Sequence, residues 1–245
     1  MKRLSLILAI ITVLCLVTSC GDTAGGNGEG GEAITPFEVI INSNEYLLYQ
    51  NVFYNDMSAD YVNKETTKIG TFAKVYDRYN EVDRYYVWGY YDQTKCCDWQ
   101  WEFNPADISS LPKEGSKITV KGMFTATDKA LDGYWIENPA VTFKNEYEGE
   151  LFDVNMCLMS STLERVQLAN MQQKPEFFEG KTVSTYGRMY SLDMIQHPYY
   201  DGSWTQKIVP ADDSSIPAIG TPVTVIGTYT AGNISNCTVE KTSQY

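Results

Sequence analysis

Two adjacent cysteines, Cys96 and Cys97, are the most unusual local feature of this 245-residue chain. They lie beside Asp92, Lys95 and Asp98. Two soft thiol ligands side by side could hold a thiophilic metal or change redox state. A complete zinc site takes about four ligands, and the chain has a single histidine, His197, far along the sequence. The expectation is therefore no cofactor and no metal, with Cys96 and Cys97 as weak metal candidates. A Ser-His-Asp or Cys-His arrangement would have to be built around His197, which precedes Pro198 in a Tyr-rich turn without a nucleophile motif beside it. Phosphate-cradling Gly-rich loops are absent from the sequence. Asp128 and Asp132-Gly133 lack the dense acidic spacing of a calcium loop. No catalytic residue is assigned, and a non-enzymatic chain is expected.

Aromatic residues crowd one stretch: Tyr85, Tyr86, Trp88, Tyr90, Tyr91, Trp99 and Trp101. Strand alternation puts Tyr86, Trp88 and Tyr90 on one face, and Tyr85, Val87 and Tyr91 on the other. Trp99, Trp101 and Phe103 share a face. Both sides of such a sheet cannot be core, so at least one aromatic row is expected at the surface. There Tyr and Trp rings make platforms for sugars, peptides or bases. Tyr86, Trp88, Tyr90, Trp99 and Trp101 are accordingly the candidate ligand-binding residues. The opposing reading has the preceding helical segment or a neighbouring module covering the row. Tyr199, Tyr200 and Trp204 form a thinner version later in the chain.

The elements that must position these residues come in two copies. Residues 109–126, Ser-Ser-Leu-Pro-Lys-Glu-Gly-Ser-Lys-Ile-Thr-Val-Lys-Gly-Met-Phe-Thr-Ala, match residues 214–231 at nine of eighteen positions without a gap. The same offset pairs Trp99 with Trp204 and Pro105-Ala106-Asp107 with Pro210-Ala211-Asp212. Upstream the repeat continues with about five inserted residues, setting Gly70–Tyr76 beside Gly180–Tyr186. Alternating apolar and polar runs separated by Gly, Pro, Asn and Asp predict five strands per copy. They fall near 67–77, 84–92, 98–103, 116–125 and 134–143, then near 181–190, 192–200, 204–209, 221–230 and 233–240. Ser161-Thr162-Leu163-Glu164 has capping-box spacing and opens a helix that Pro175 stops. Residues 45–60 are its weaker counterpart.

Gly115-Ser-Lys-Ile-Thr-Val-Lys-Gly122 and Gly220-Thr-Pro-Val-Thr-Val-Ile-Gly227 give each copy a Gly-bounded fourth strand. With five short strands this resembles the oligonucleotide/oligosaccharide-binding (OB) barrel. The resemblance implies a mainly β fold of two tandem five-stranded OB-like barrels, each preceded by a short helix. Only about a dozen residues separate strands three and four, so the usual helix there must be vestigial. A two-sheet sandwich is the competing architecture.

The first residues read Lys2-Arg3, an apolar run from Leu4 to Val17, then Thr18-Ser19-Cys20. That is the charged, apolar and small-residue order of a secretory signal. The run is shorter than the ~20 residues that span a bilayer. Leu16-Val17-Thr18-Ser19-Cys20 resembles the bacterial lipobox, which implies cleavage before Cys20 and acylation of its thiol with palmitate-type chains. Several chains together anchor stably. The expected organisation is a signal peptide over 1–19, a flexible Gly-rich tether over 20–35, and OB-like modules over 36–145 and 146–245. The expected location is extracytoplasmic, lipid-anchored to the cell membrane. Cys96-Cys97-Asp98-Trp99-Gln100-Trp101-Glu102-Phe103 on this plan resembles a group of Firmicute-type bacterial membrane lipoproteins with a Cys-Cys pair shortly before Glu-Phe. Without the signal, 17 Lys and Arg face 31 Asp and Glu, 17 − 31 = −14. Such a surface repels phosphate backbones, so no nucleic-acid partner is expected. Cys96, Cys97, Cys157 and Cys237 allow three disulfide pairings, or stay as thiols. Functionally the sequence points first to a binding or adaptor module for a glycan, peptide or envelope protein. A thiol-dependent metal or redox protein using Cys96 and Cys97 is the alternative, and a hydrolase around His197 the third reading.

Overall fold

The computed structural model describes residues 40–41, 62–90, 98–131, 133–197, 205–212 and 216–243. Cys20 with the signal and tether, the segment 45–60, and Tyr91, Cys96, Cys97, Asp132, Tyr199, Tyr200 and Trp204 lie outside the described residues. Thr35–Tyr245 forms one compact unit.

The chain is mainly β, and both barrels close. In the first, β2 (Lys64–Asp77), β3 (Val82–Tyr90), β4 (Asp98–Asn104), β5 (Lys117–Ala126) and β6 (Tyr134–Phe143) join in the ring β2-β3-β4-β6-β5-β2. All contacts are antiparallel except β4 with β6. The second ring repeats this with β8 (Thr182–Ser191), β9 (Met194–Gln196), β10 (Thr205–Pro210), β11 (Pro222–Thr230) and β12 (Asn233–Lys241), β10 and β12 being the parallel pair. Closure of the ring by β2 with β5 and by β8 with β11 removes the two open edges that a sandwich would keep. Between β4 and β5 the vestigial helix is a single 3₁₀ turn, Ile108–Ser110.

The repeated glycines have separate physical causes. Gly115 and Gly220 turn the chain into the fourth strand at φ 84° and 85°, where a side chain is strained. Gly122 and Gly227 sit where β5 and β11 shift register against their partners. A Cβ at Gly122 would stand 2.9 Å from Pro139 Cα, and one at Gly227 2.8 Å from the Ser235 carbonyl oxygen. Any side chain there would push the strands of the closed ring apart.

Pairing corrects the upstream register of the repeat. Gly70 faces Ile118 and Gly187 faces Val223, and Ile118 and Val223 are equivalent at the offset of 105. The counterpart of Gly70 is thus Gly187, not Gly180. The insertion between the copies is 187 − 70 − 105 = 12 residues rather than about five. The duplication also reaches one element further back. β1 (Ile40–Ile41) runs parallel to β2, and β7 (Val154–Asn155) runs parallel to β8. A two-residue strand is too short to carry a periodic signal, so it was invisible in the sequence.

Helix α1 (Ser161–Gln173) begins one residue earlier in its capping than the Ser-x-x-Glu spacing predicts. Ser160 is the N-cap, accepting from the Leu163 N–H at 3.2 Å. Glu164 is thereby released from the capping box and turns to the buried side of the helix.

Candidate functional site

The alternation read from the sequence sorts the aromatic residues onto the correct faces, but the expected exposed row does not exist among the described residues. Val87, Trp99, Trp101 and Phe103 point into the first barrel with Phe72, Ile118, Val120, Phe124 and Ile136. Trp99 and Trp101 are each 1 % exposed. Tyr86 and Trp88 point outward, yet they join a second core with α1 and the interior of the second barrel. Trp88 is 8 % exposed and its indole N–H donates to the Leu158 carbonyl at 3.0 Å. Tyr90 is half-buried against the same core and stacks edge-on to Trp88. The neighbouring module covers the row, so Tyr86, Trp88, Trp99 and Trp101 are not an open platform for sugars. Burying them removes from water an apolar surface that the first copy alone would leave exposed.

The cover is α1, which is held by polar contacts from both barrels. The β5 ladder on β2 ends at Thr71, and Phe72 still bonds Ser116 and Gly115 just before β5, so the end of β2 beyond Phe72 is left without a strand partner on that side among the described residues. At Tyr76 that edge is satisfied by side chains of the helix. The Tyr76 N–H donates to Gln167 Oε1 at 3.1 Å, and Asn170 Nδ2 donates to the Tyr76 carbonyl. At the helix start Asp98 accepts from the Ser161 N–H at 2.7 Å, from its hydroxyl, and from the Thr162 hydroxyl at 2.9 Å. A carboxylate is favoured there by the helix dipole and by the otherwise unpaired amides. On the other side the Tyr229 hydroxyl donates to the Met171 carbonyl at 2.9 Å.

His197 and Glu164 meet in the second barrel. Their Nδ1 to Oε1 distance is 3.1 Å, both side chains are fully buried, and the Thr185 hydroxyl donates to the same carboxylate oxygen at 3.3 Å. Burial and Glu164 push the phenol of Tyr186 upward, and it is hydrogen-bonded to Glu164 as well. Cys157 lies near this cluster with its thiol pushed up to about 12, first by burial and then by Glu164. A thiol so held is protonated at neutral pH and is a poor nucleophile. Cys157 and Cys237 are free thiols, so neither enters a disulfide. No group of three or more His, Cys, Asp and Glu side chains is placed to hold a metal ion among the described residues.

Beside the helix lies a cleft of about 460 Å³, within the ~300–1,000 Å³ of small-molecule sites. Its floor is Val75 and Tyr86, its helical wall Val166 and Ala169, and its lips Tyr79 and Leu131. The lips are 75 % and 45 % exposed. Behind the floor Arg84 binds Asp77 at 2.6 Å and Glu102 at 2.5 Å, and donates to the Lys129 carbonyl. Glu102 also accepts from the Leu131 N–H at 2.9 Å, which ties the β5–β6 turn to the barrel. Burial alone would raise the Asp77 carboxyl, but hydrogen bonds from Asn80, the Tyr79 N–H and Arg84 outweigh it and hold it low. Among the described residues Arg78 and Arg165 also line the cleft with Arg84 and Asp77, and Glu102 is bonded to Arg84.

A second cavity of about 270 Å³ is lined by Lys74, Asp83, Asp153 and Lys181 among apolar neighbours. Its charges cancel two against two. Next to it Glu114 lies 3.7 Å from Lys74, with its carboxyl raised to about 7 because burial outweighs Lys74 and Asn155. The sequence reading passed over this acid, the cleft and the Glu164–His197 pair, since each is assembled from distant segments.

No known protein-family model matches the chain, and no curated protein is significantly similar to it.

Proposed function

We propose that the chain is a non-enzymatic binding module of the cell envelope, exported by its N-terminal signal and held to the membrane by lipid on Cys20. Its ligand docks in the cleft between the first barrel and α1, not on the aromatic rows. The observation that carries this reading is the cleft itself: a concave, mostly apolar space with exposed apolar lips on a rigid base. The charge-small-residue order of the first twenty residues supports the address. The acidic surface argues against nucleic acid as partner. The sealed His197–Glu164 pair and the protonated Cys157 thiol argue against a Cys-His hydrolase.

Two measurements test the proposal. Mass spectrometry of the mature protein should find Cys20 as the first residue carrying acyl chains; an unacylated N-terminus at another residue would reject the anchor. Ligand-observed NMR with a fragment library should give hits that the full chain loses on Ala169→Trp, which fills the cleft from its helical wall. Hits that survive that substitution would place the site elsewhere.

A further inference from the structure

We infer that the outer face of the second barrel docks another copy of this chain, seated head to tail by the β1 end of that copy's first barrel. The ground is the repeat itself. In the first barrel the Phe72 N–H donates to the Ser116 carbonyl and the Phe72 carbonyl accepts from Gly115; in the second, Met189 does the same with Thr221 and Gly220. Phe72 and Met189 are therefore equivalent at 189 − 72 = 117, the offset that also relates Gly70 to Gly187. Counting on from them, Ala73 and Val75 correspond to Tyr190 and Leu192, and Glu114 corresponds to Ile219 at the offset of 105.

The two sets of residues meet opposite fates. Ala73 and Val75 are buried with Tyr86 in the core shared with α1, and Glu114 accepts from Asn155 Nδ2 of β7 at 3.4 Å. This is the face on which the first barrel seats the second. On the second barrel Tyr190 is 57 % exposed, and Leu192 and Ile219 are each 66 % exposed. The Gly220 N–H donates to the Met189 carbonyl at 2.7 Å, which brings Ile219 against Tyr190. β8 turns back sooner than β2, so Leu192 stands in the hairpin turn, with half-buried Met194 in the place of Tyr86. A cluster of large apolar side chains left in water marks an interaction surface. The duplication supplies its occupant. The second barrel seats on the first by the end where β7 runs parallel to β8, and the first barrel has the same end, where β1 runs parallel to β2. Such a contact joins two different surfaces, so it is heterologous and extends copy by copy. Chains of formal charge −12 repel one another, and salt screens that repulsion.

The test is sedimentation velocity on the full chain in phosphatidylcholine nanodiscs, from micromolar to near-millimolar concentration, with empty nanodiscs as blank. The wild type should sediment faster as its concentration rises, and more so at high salt. Leu192→Glu should weaken self-association at least ~10-fold, since burying one leucine is worth about that factor or more. Ile219→Glu, at a second exposed position, repeats the comparison should Leu192→Glu fail to fold. A fluorescent Leu192→Glu chain should still bind the wild type, because its own β1 end is intact. Loss of that mixed binding would mean a two-fold symmetric contact and would overturn the head-to-tail arrangement. A wild type that stays a single species at every concentration and salt, as it would with this face laid on the lipid, would overturn the docking surface. So would glutamate variants that assemble as the wild type does.

Discussion

At the scale of single residues, the group with the largest consequence for solution behaviour is Glu114. Its carboxyl is raised from 4.5 to about 7, chiefly by burial, so the folded chain keeps a proton that the unfolded chain has released. The folded state binds more protons between these values, and stability must fall as pH rises from 4.5 towards about 7. The slope for one such group reaches up to ~1.4 kcal/mol per pH unit. Denaturant unfolding of wild type and Glu114→Gln across this window should show that slope in the first and its loss in the second. A wild type with flat stability there would refute the account. Ser160 gives a second check, because its hydroxyl holds the Leu163 N–H at the start of α1. Ser160→Ala should cost about 1 kcal/mol, with the midpoint of the same curves as readout.

At the scale of elements, the closed ring explains why the same glycines recur in both copies. Gly220, with nothing within 4 Å of a Cβ built on it, answers to backbone conformation alone, Gly115 to conformation and to the Tyr147 ring 3.0 Å away, and Gly122 and Gly227 to the nearness of the fifth strand. The two kinds should respond differently to alanine. Gly220→Ala should cost on the order of 1 kcal/mol, the strain of a left-handed residue with open space around it. Gly122→Ala brings a methyl to 2.9 Å of Pro139 Cα and 3.0 Å of the Glu137 carbonyl oxygen, both backbone atoms that have little room to move. It should cost roughly 1–3 kcal/mol, as overpacking does, and should disturb the amide signals of β5 and β6 in NMR spectra. An unshifted spectrum for Gly122→Ala would mean that the strands are not in this register.

At the scale of the whole molecule, α1 belongs by sequence to the second copy and by contact to both. Tyr86, Trp88, Leu163, Leu168, Val183 and Val225 fall in one continuous core that crosses from the outside of the first barrel to the inside of the second. Domains sharing a buried core of this kind should unfold together. Heating or denaturant should therefore give a single transition, seen alike by tryptophan fluorescence and by far-ultraviolet circular dichroism. Trp88→Ala should lower it by ~3–5 kcal/mol for a lost buried aromatic. Two separated transitions in the wild type would show that the barrels are not coupled through the helix.

Much of this chain is written locally. Strand alternation, turn residues and the repeated Gly-bounded motif depend on neighbours within a few positions, and they led to the barrel, its ten ring strands, the duplication and the common face of Trp99, Trp101 and Phe103, though not to its being the inward one. The helix after Ser160 was legible for the same reason, although Glu164, Gln167 and Asn170 on its hidden side blur its apolar stripe. What the tertiary structure alone decided is which of two aromatic faces meets water. Tyr76 with Gln167, Arg78 with Asn170 and Trp88 with Leu158 pair residues some 70 to 92 positions apart. A period of two says that a side chain faces out of its own barrel, but carries no information on what a later segment will lay against it. For that reason the expected aromatic platform became core, while the cleft arose where two turns and a helix fail to close completely.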